Sequence, residues 1–236
     1  MFPAPTLGRG RGKKSAGPAA AARAMTGTDK YDAAAEGWSD EQYADSAAYL
    51  QHRAELVISL GPLLVPGEAV LDLACGDGGL AEPLLAAGLR YAGVDLSGRM
   101  VDAARRRLGA RAEIHEADLN DFAPREPVES TTCFRAIYYA RDRRAFLERV
   151  AGYTQKKLVF DLNPRQYRVE DVVADLAAAG MNEVVLRPFF SPQNVALPSP
   201  VAATLRAAER SGPLARLALR YRFSYMVAAS RSASPA

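Results

Sequence analysis

Only two cysteines, Cys75 and Cys133, and two histidines, His52 and His115, occur in the 236 residues. That is too few for a disulfide framework or for a zinc site made from these ligands alone. Metal catalysis would have to rest on carboxylates, and the compartment expected for such a chain is a reducing cytoplasm. No apolar run approaches the ~18 residues of a membrane span; the stretch Leu56–Val65 is broken by Gly61 and Pro62. No repeat of fixed period is present. With 49% hydrophobic and 24% charged residues, wholesale disorder and collagen-like structure are excluded, and the length suits one sizeable α/β domain.

Net charge is small, at +3, but unevenly spread. Residues 1–24 hold Arg9, Arg11, Lys13, Lys14 and Arg23 without an acid, and residues 201–236 hold six arginines against Glu209. Each end is therefore +5, which leaves −7 for residues 25–200. An acidic body argues against a nucleic-acid groove there. Residues 1–24, rich in Gly, Ala, Pro and Arg without an apolar period, read as a disordered extension. Met25 is an equally good start for the ordered part, a single domain over 25–236.

Helices are expected at Ala33–Gln51 and Arg53–Leu60, ahead of a change of pattern. Strand candidates follow at Val70–Leu73, Tyr91–Asp95, Ala112–Ala117, Thr131–Tyr139, Lys157–Leu162, Glu183–Phe190 and Tyr221–Ala229. Helical segments at Leu80–Ala87, Gly98–Leu108, Asp142–Tyr153 and Val169–Ala179 separate most of them. Such alternation predicts an α/β fold with a doubly wound, mostly parallel sheet of seven strands. A helical insertion at 191–220 precedes the last strand and interleaves leucines with arginines. It reads as an ordinary amphipathic pair, a wall of an acceptor pocket, or a membrane-surface element.

The informative stretch is Val70-Leu71-Asp72-Leu73-Ala74-Cys75-Gly76-Asp77-Gly78-Gly79. A buried strand ends in a turn where Gly76 and Gly78 are expected to let the backbone approach a ligand, and the next helix aims its N-terminus there. Asp95 closes the second strand, where a carboxylate can accept from two ribose hydroxyls. The same glycines satisfy a loose dinucleotide pattern. Asp72 and Asp77, however, place negative charge where a pyrophosphate would lie, whereas a cationic ligand is favoured by it.

Val70–Gly78 resembles the first motif of class I S-adenosylmethionine-dependent methyltransferases. Val94-Asp95-Leu96-Ser97 resembles their ribose-binding turn, and Glu116-Ala117-Asp118-Leu119 their adenine-contacting segment. The resemblance covers roughly residues 30–230 and implies a Rossmann-like methyltransferase fold, S-adenosyl-L-methionine as cofactor and a small-molecule methyl acceptor, with oxygen preferred over nitrogen. It implies that Ala74 and Gly76 present backbone groups to the methionine portion and that Asp72 faces its ammonium. Asp95 would hold the ribose, Leu96 the adenine face, Asp118 the adenine amino group and Leu119 a backbone contact. Met100 would line the adenine pocket, and Phe134 and Arg135 would flank the cofactor. Segment 130–133 departs from the acidic start usual for the family's fourth strand. Two other classes compete: a non-catalytic binding protein of the same fold, and a nicotinamide-dependent oxidoreductase.

Methyl transfer requires alignment and exclusion of water more than a dedicated base. Tyr138, Tyr139 and Arg141 are the candidates to face the acceptor. Helices over about 30–60 form a candidate lid, with Tyr31 its expected cofactor contact and Trp38 an anchor. His52 reads as a surface or capping residue and His115 as structural. Asn163-Pro164-Arg165-Gln166-Tyr167 resembles an Asn-Pro-Pro-Tyr amino-methylation signature but follows the fifth strand instead of the fourth.

Overall fold

The computed structural model describes residues 38–220 and 224–232. Seven strands form one sheet: β1 Ala69–Leu73, β2 Arg90–Asp95, β3 Glu113–Glu116, β4 Val128–Cys133, β5 Thr154–Leu162, β6 Glu183–Pro188 and β7 Tyr225–Ser230. Their order is β3-β2-β1-β4-β5-β7-β6. The first five pair in parallel, and β7 runs antiparallel between β5 and β6. The expected doubly wound architecture is therefore present, with β7 the strand that makes it mixed.

Among the described residues eight α-helices flank the sheet: α1 Trp38–Gln42, α2 Ser46–Ser59, α3 Ala81–Ala86, α4 Gly98–Leu108, α5 Arg143–Tyr153, α6 Val169–Ala178, α7 Ser199–Arg210 and α8 Gly212–Arg220. Side chains of successive strand residues point to opposite faces, and the core divides accordingly. Val70, Val159, Met226 and Ala228 join α2, α3 and α4 on one face. Leu71, Leu158, Phe160 and Val227 join α5 and α6 on the other. Polar caps set the helix starts: Asp45, Ser97 and Asp142 accept from the backbone N–H groups of Ala48, Met100 and Ala145 at 3.0, 3.2 and 3.0 Å. Each satisfies a donor that the first turn leaves unpaired.

Two boundaries differ from the sequence reading. The helix α2 runs unbroken through Gln51–Arg53, because the apolar face Tyr49, Leu56, Val57 and Leu60 continues across that point. The fourth strand stops at Cys133, and Ile137–Tyr139 form a 3-10 turn. This strand also starts earlier, and its second residue, Glu129, accepts from the Ala69 N–H at 2.7 Å. An acidic residue thus stands at its start after all. The extension 1–24, Tyr31 and the start of the expected last strand at Tyr221 lie outside the described residues.

Register places the carboxyl ends side by side. Leu73 pairs with Val94 and with Cys133, and Cys133 pairs with Phe160. The residues that follow, Asp95 and Ala74 on one side and Phe134 and Asp161 on the other, open a crevice along that edge.

Candidate functional site

A cavity of about 750 Å³ occupies this crevice. At one end it is lined by Asp118, Leu119, Asn120, Tyr139 and Arg141, from the segments after β3 and β4. Asp95, Leu96 and Met100 line its middle, and Asp72, Ala74 and Gly76 the loop after β1. Beyond them come Phe134 and Arg135 after β4 and, from the segment of α1 and α2, Trp38, Tyr43, Leu50 and Arg53. Crossing from the end of β3 to that of β4 takes three strand spacings, ~14 Å at the usual ~4.8 Å each.

The β1 loop is held open by backbone conformation. Gly76 has φ +58°, and a Cβ there would stand 3.6 Å from Trp38 Cδ1. The neighbouring Ala74 adopts φ +60° although it is not glycine, a conformation costly for an L-residue. Gly78 belongs to a different contact: it does not line the cavity, and an added Cβ would meet Leu108 Cδ1 of α4 at 2.9 Å. Its glycine serves the turn and helix packing, not ligand approach.

Asp95 fixes the loop from the side. Its Oδ2 accepts from the Gly76 N–H at 2.8 Å and its Oδ1 from the Ser97 N–H at 2.9 Å. A carboxylate has about four lone-pair sites, so these contacts orient it without filling it. Asp72 is only 3% exposed. Thr132 Oγ1 donates to it at 2.6 Å and Tyr91 OH at 2.8 Å. Burial pushes its pKa up to about 6, against the lowering effect of those two hydrogen bonds and of Arg53. A buried carboxylate so raised lacks enough positive charge nearby, and it lines a cavity.

Asp77 does not share that position. It accepts from the Ser39 N–H at 3.0 Å, from Ser39 Oγ and from Arg107 Nη2 at 2.8 Å, and so docks α1 onto the glycine loop. The repulsion that the sequence assigns to Asp72 and Asp77 together therefore rests on Asp72 alone. Docking of α1 brings Trp38 over Gly76 as a wall of the cavity, more than the anchor that the sequence suggests.

Arg53 is the site residue that the sequence reading missed. It is 5% exposed and its guanidinium lies over Phe134 at 4.4 Å and Tyr49 at 4.9 Å. Nη2 donates to Tyr49 OH at 2.8 Å, while the buried Nε has no hydrogen-bond partner. Burial opposes its charge, but Tyr49, Tyr43, Asp161 and Asp72 outweigh that and hold its pKa above the ordinary value. One signal was legible: Tyr49, Arg53, Leu56 and Leu60 share a helical stripe, which puts a cation on an apolar face.

The three residues expected to face the acceptor line the Asp118 end of the cavity. Arg141 pairs with Asp118 at 2.6 Å and with Asp121 at 3.1 Å, and its N–H donates to Asn120 Oδ1 at 2.9 Å. Burial works against the Asp118 carboxylate, yet Asn120 and Arg141 prevail and hold its pKa below the usual range. Tyr138 and Tyr139 stand next to this pair, 38% and 45% exposed. All three line the Asp118 end, four strands' breadth from Asp161, because the chain turns back toward β3 after Cys133.

Two further expectations change. His52 is buried, stacks on Phe189 at 5.2 Å, and donates through Nε2 to Glu209 at 2.7 Å. Glu209 also accepts from the Phe190 N–H at 2.6 Å. The insertion thereby packs behind α2, and none of its described residues lines this cavity. Among the described residues, no group of three or more His, Cys, Asp or Glu is arranged to hold a metal, and no helix is long and apolar enough to cross a membrane.

Residues 70–157 match the family model described as a methyltransferase domain. An uncharacterized methyltransferase of Geobacillus thermodenitrificans is 31% identical over 128 residues, 54% of this chain and 56% of that protein. A ubiquinone biosynthesis O-methyltransferase of Aromatoleum aromaticum is 35% identical over 81 residues, 32% of this chain and 35% of its own. The matches thus span about half, or less, of these curated relatives. Among solved structures, a chain from the complex of the Haloferax volcanii Trm112 methyltransferase activator with a methyltransferase superposes with TM-score 0.60, at 18% identity over 86% of this chain and 98% of the other. Magnesium protoporphyrin IX methyltransferase of Synechocystis, with S-adenosylmethionine bound, gives 0.53 at 18% identity over 88% and 85%. The chain is thus similar to methyltransferases over residues 70–157 and shares the fold of these S-adenosylmethionine-dependent enzymes.

Proposed function

We propose that the chain transfers a methyl group from S-adenosylmethionine to a small-molecule acceptor, preferably at oxygen. The observation that carries this reading is the order of charges along the crevice: Asp118, Asp95, Asp72, then Arg53. When bound, the cofactor supplies a methyl group on a sulfonium, whose in-line transfer to a nucleophile leaves a neutral thioether. Asp72 would face the cofactor's ammonium, and the unpartnered Nε of Arg53 its carboxylate. Asp95 would accept from the ribose hydroxyls while holding Gly76 and Ser97. Leu96, Met100 and Leu119 would supply apolar contacts to adenine, beside Asp118. Trp38, Tyr43 and Phe134 would exclude water, which strengthens each of these interactions.

An oxygen acceptor fits the segment after β4, which reads Phe134-Arg135-Ala136 in place of an amino-methylation signature; one partial relative is named an O-methyltransferase. A nicotinamide dinucleotide would set its pyrophosphate against Asp72. The test is titration with S-adenosylmethionine, S-adenosylhomocysteine and NAD, with and without Asp95→Ala. The first two are expected to bind and NAD to fail. Asp95→Ala should weaken binding by ~1.5–3 kcal/mol, the worth of hydrogen bonds to a charged group. Binding of NAD alone, or an unchanged affinity in the variant, overturns the assignment.

A further inference from the structure

Three arginines line the cavity: Arg53, Arg141, which is paired with Asp118 and Asp121, and Arg135, which the sequence sets beside the cofactor but which the reading above does not use to hold it. It follows β4, and its N–H donates to Asp161 Oδ1 at 2.5 Å at the end of β5. This is the far side of the crevice from Asp118, one strand beyond the β1 loop. Its backbone has φ +55°, a left-handed conformation that glycine or asparagine would adopt more cheaply. Strain of that kind persists where surrounding groups hold it, and here the Asp161 carboxylate does so through the main chain.

The guanidinium is more interesting than the turn. No carboxylate pairs with it among the described residues; its side-chain partner is the Tyr43 hydroxyl. Arg53 stands close enough for the two like charges to repel. Asp161 and Asp72 act electrostatically on Arg53, and the contact of Asp161 with Arg135 is to the backbone N–H. Around them the wall is Phe134, Leu50 and Trp38, an apolar setting in which an unpaired cation is costly. With Arg141 paired to Asp118 and Asp121, two guanidinium groups without a carboxylate partner line one cavity, and the cofactor brings a single carboxylate.

We propose that Arg135, with the Tyr43 hydroxyl, forms an anion subsite that selects acceptors carrying a carboxylate or phosphate group on an apolar body. This rests on the methyltransferase reading above and specifies its acceptor. A guanidinium presents a planar fork of donors that suits either anion, and the bound anion would separate Arg135 from Arg53 electrostatically. Arg135 is thus a specificity-determining residue, and the left-handed turn aims it.

The experiment has two stages. The protein is first titrated with S-adenosylhomocysteine; failure to bind sinks the methyltransferase reading and this inference with it. The loaded protein is then titrated with benzoate, phenyl phosphate and benzamide. At least one anion should bind about tenfold or more tightly than the neutral amide, consistent with a charge-assisted hydrogen bond. Arg135→Gln should erase that preference while S-adenosylhomocysteine affinity stays within about threefold and the melting temperature holds. Arg135→Lys should keep part of it, and Tyr43→Phe should weaken the anion several-fold. Which anion wins distinguishes a carboxylate from a phosphate acceptor. Equal binding of anion and amide, no binding of either anion, or a preference that survives Arg135→Gln overturns the proposal. If Arg135→Gln fails to fold, the Arg135→Lys and Tyr43→Phe arms decide by the same preference.

Discussion

At the scale of single residues, Asp72 sets the pH behaviour of the site. Its folded-state pKa, about 6, lies above the ~3.9 of an exposed aspartate. The folded chain therefore binds the proton more readily, and stability without ligand falls as pH rises from about 4 through 6. A cation placed against the carboxylate reverses this by favouring the charged form. Affinity for S-adenosylmethionine should accordingly rise by up to about tenfold between pH 5 and 7 and level off above it. Asp72→Asn should flatten the profile and weaken binding at pH 7.5; calorimetric titration across that range checks both. A profile equally steep in the variant would assign the titration to another group.

At the scale of elements, helix α2 is fastened at two points along its buried face. Glu209 of α7 takes hydrogen bonds from His52 and from the Phe190 N–H, and it is 3% exposed. Glu209→Ala would leave the buried His52 Nε2 without its acceptor, a loss expected to cost ~3 kcal/mol in urea unfolding; a cost under ~1 kcal/mol would mean that the contact is dispensable. At the second point Lys157, on β5, donates through Nζ to Ile58 O at 2.9 Å and Leu60 O at 2.8 Å. A cation at the helix C-terminus is well placed, yet burial, aided by Lys156, brings its pKa down to about 7. A lysine with a folded pKa below its unfolded value opposes folding while protonated in the unfolded chain. Stability should therefore rise from pH 7 toward 10, by at most ~1.4 kcal/mol per unit, and Lys157→Met should remove the rise.

At the scale of the whole molecule, the site exists only while the sheet, α1 and α2 are assembled, so a ligand that binds there binds the folded state alone. S-adenosylmethionine at ~100 times its dissociation constant should add ~2.7 kcal/mol and raise the melting midpoint by several degrees. NAD at the same concentration should leave the midpoint in place. Stabilisation by NAD and not by S-adenosylmethionine would overturn the proposed cofactor.

What was legible in the residue order is local. The alternation of strands and helices, the loop Asp72–Gly78 and the acid at the end of β2 follow from spacing along the chain, because each depends on neighbours a few positions apart. Those signals sufficed for the sheet and for Asp72, Gly76 and Asp95; Ala74, Leu96, Met100, Asp118, Leu119 and Phe134 came from the resemblance to methyltransferase motifs, and all nine line the cavity. The rest depended on which distant segments meet. Asp77 and Gly78 sit inside the motif, yet one holds Ser39 and the other packs on Leu108. Tyr138, Tyr139 and Arg141 followed the right strand, but the chain turned them toward Asp118. His52, which read as a surface residue, is buried because Glu209, 157 positions later, comes to it. Arg53 and Arg135 lie far apart in sequence and face one cavity only after α2 packs across the carboxyl ends of the strands. Periodicity fixes which side of an element is apolar; charge pairing across the molecule is decided by packing, since a Coulomb contact reads distance in space and not along the chain.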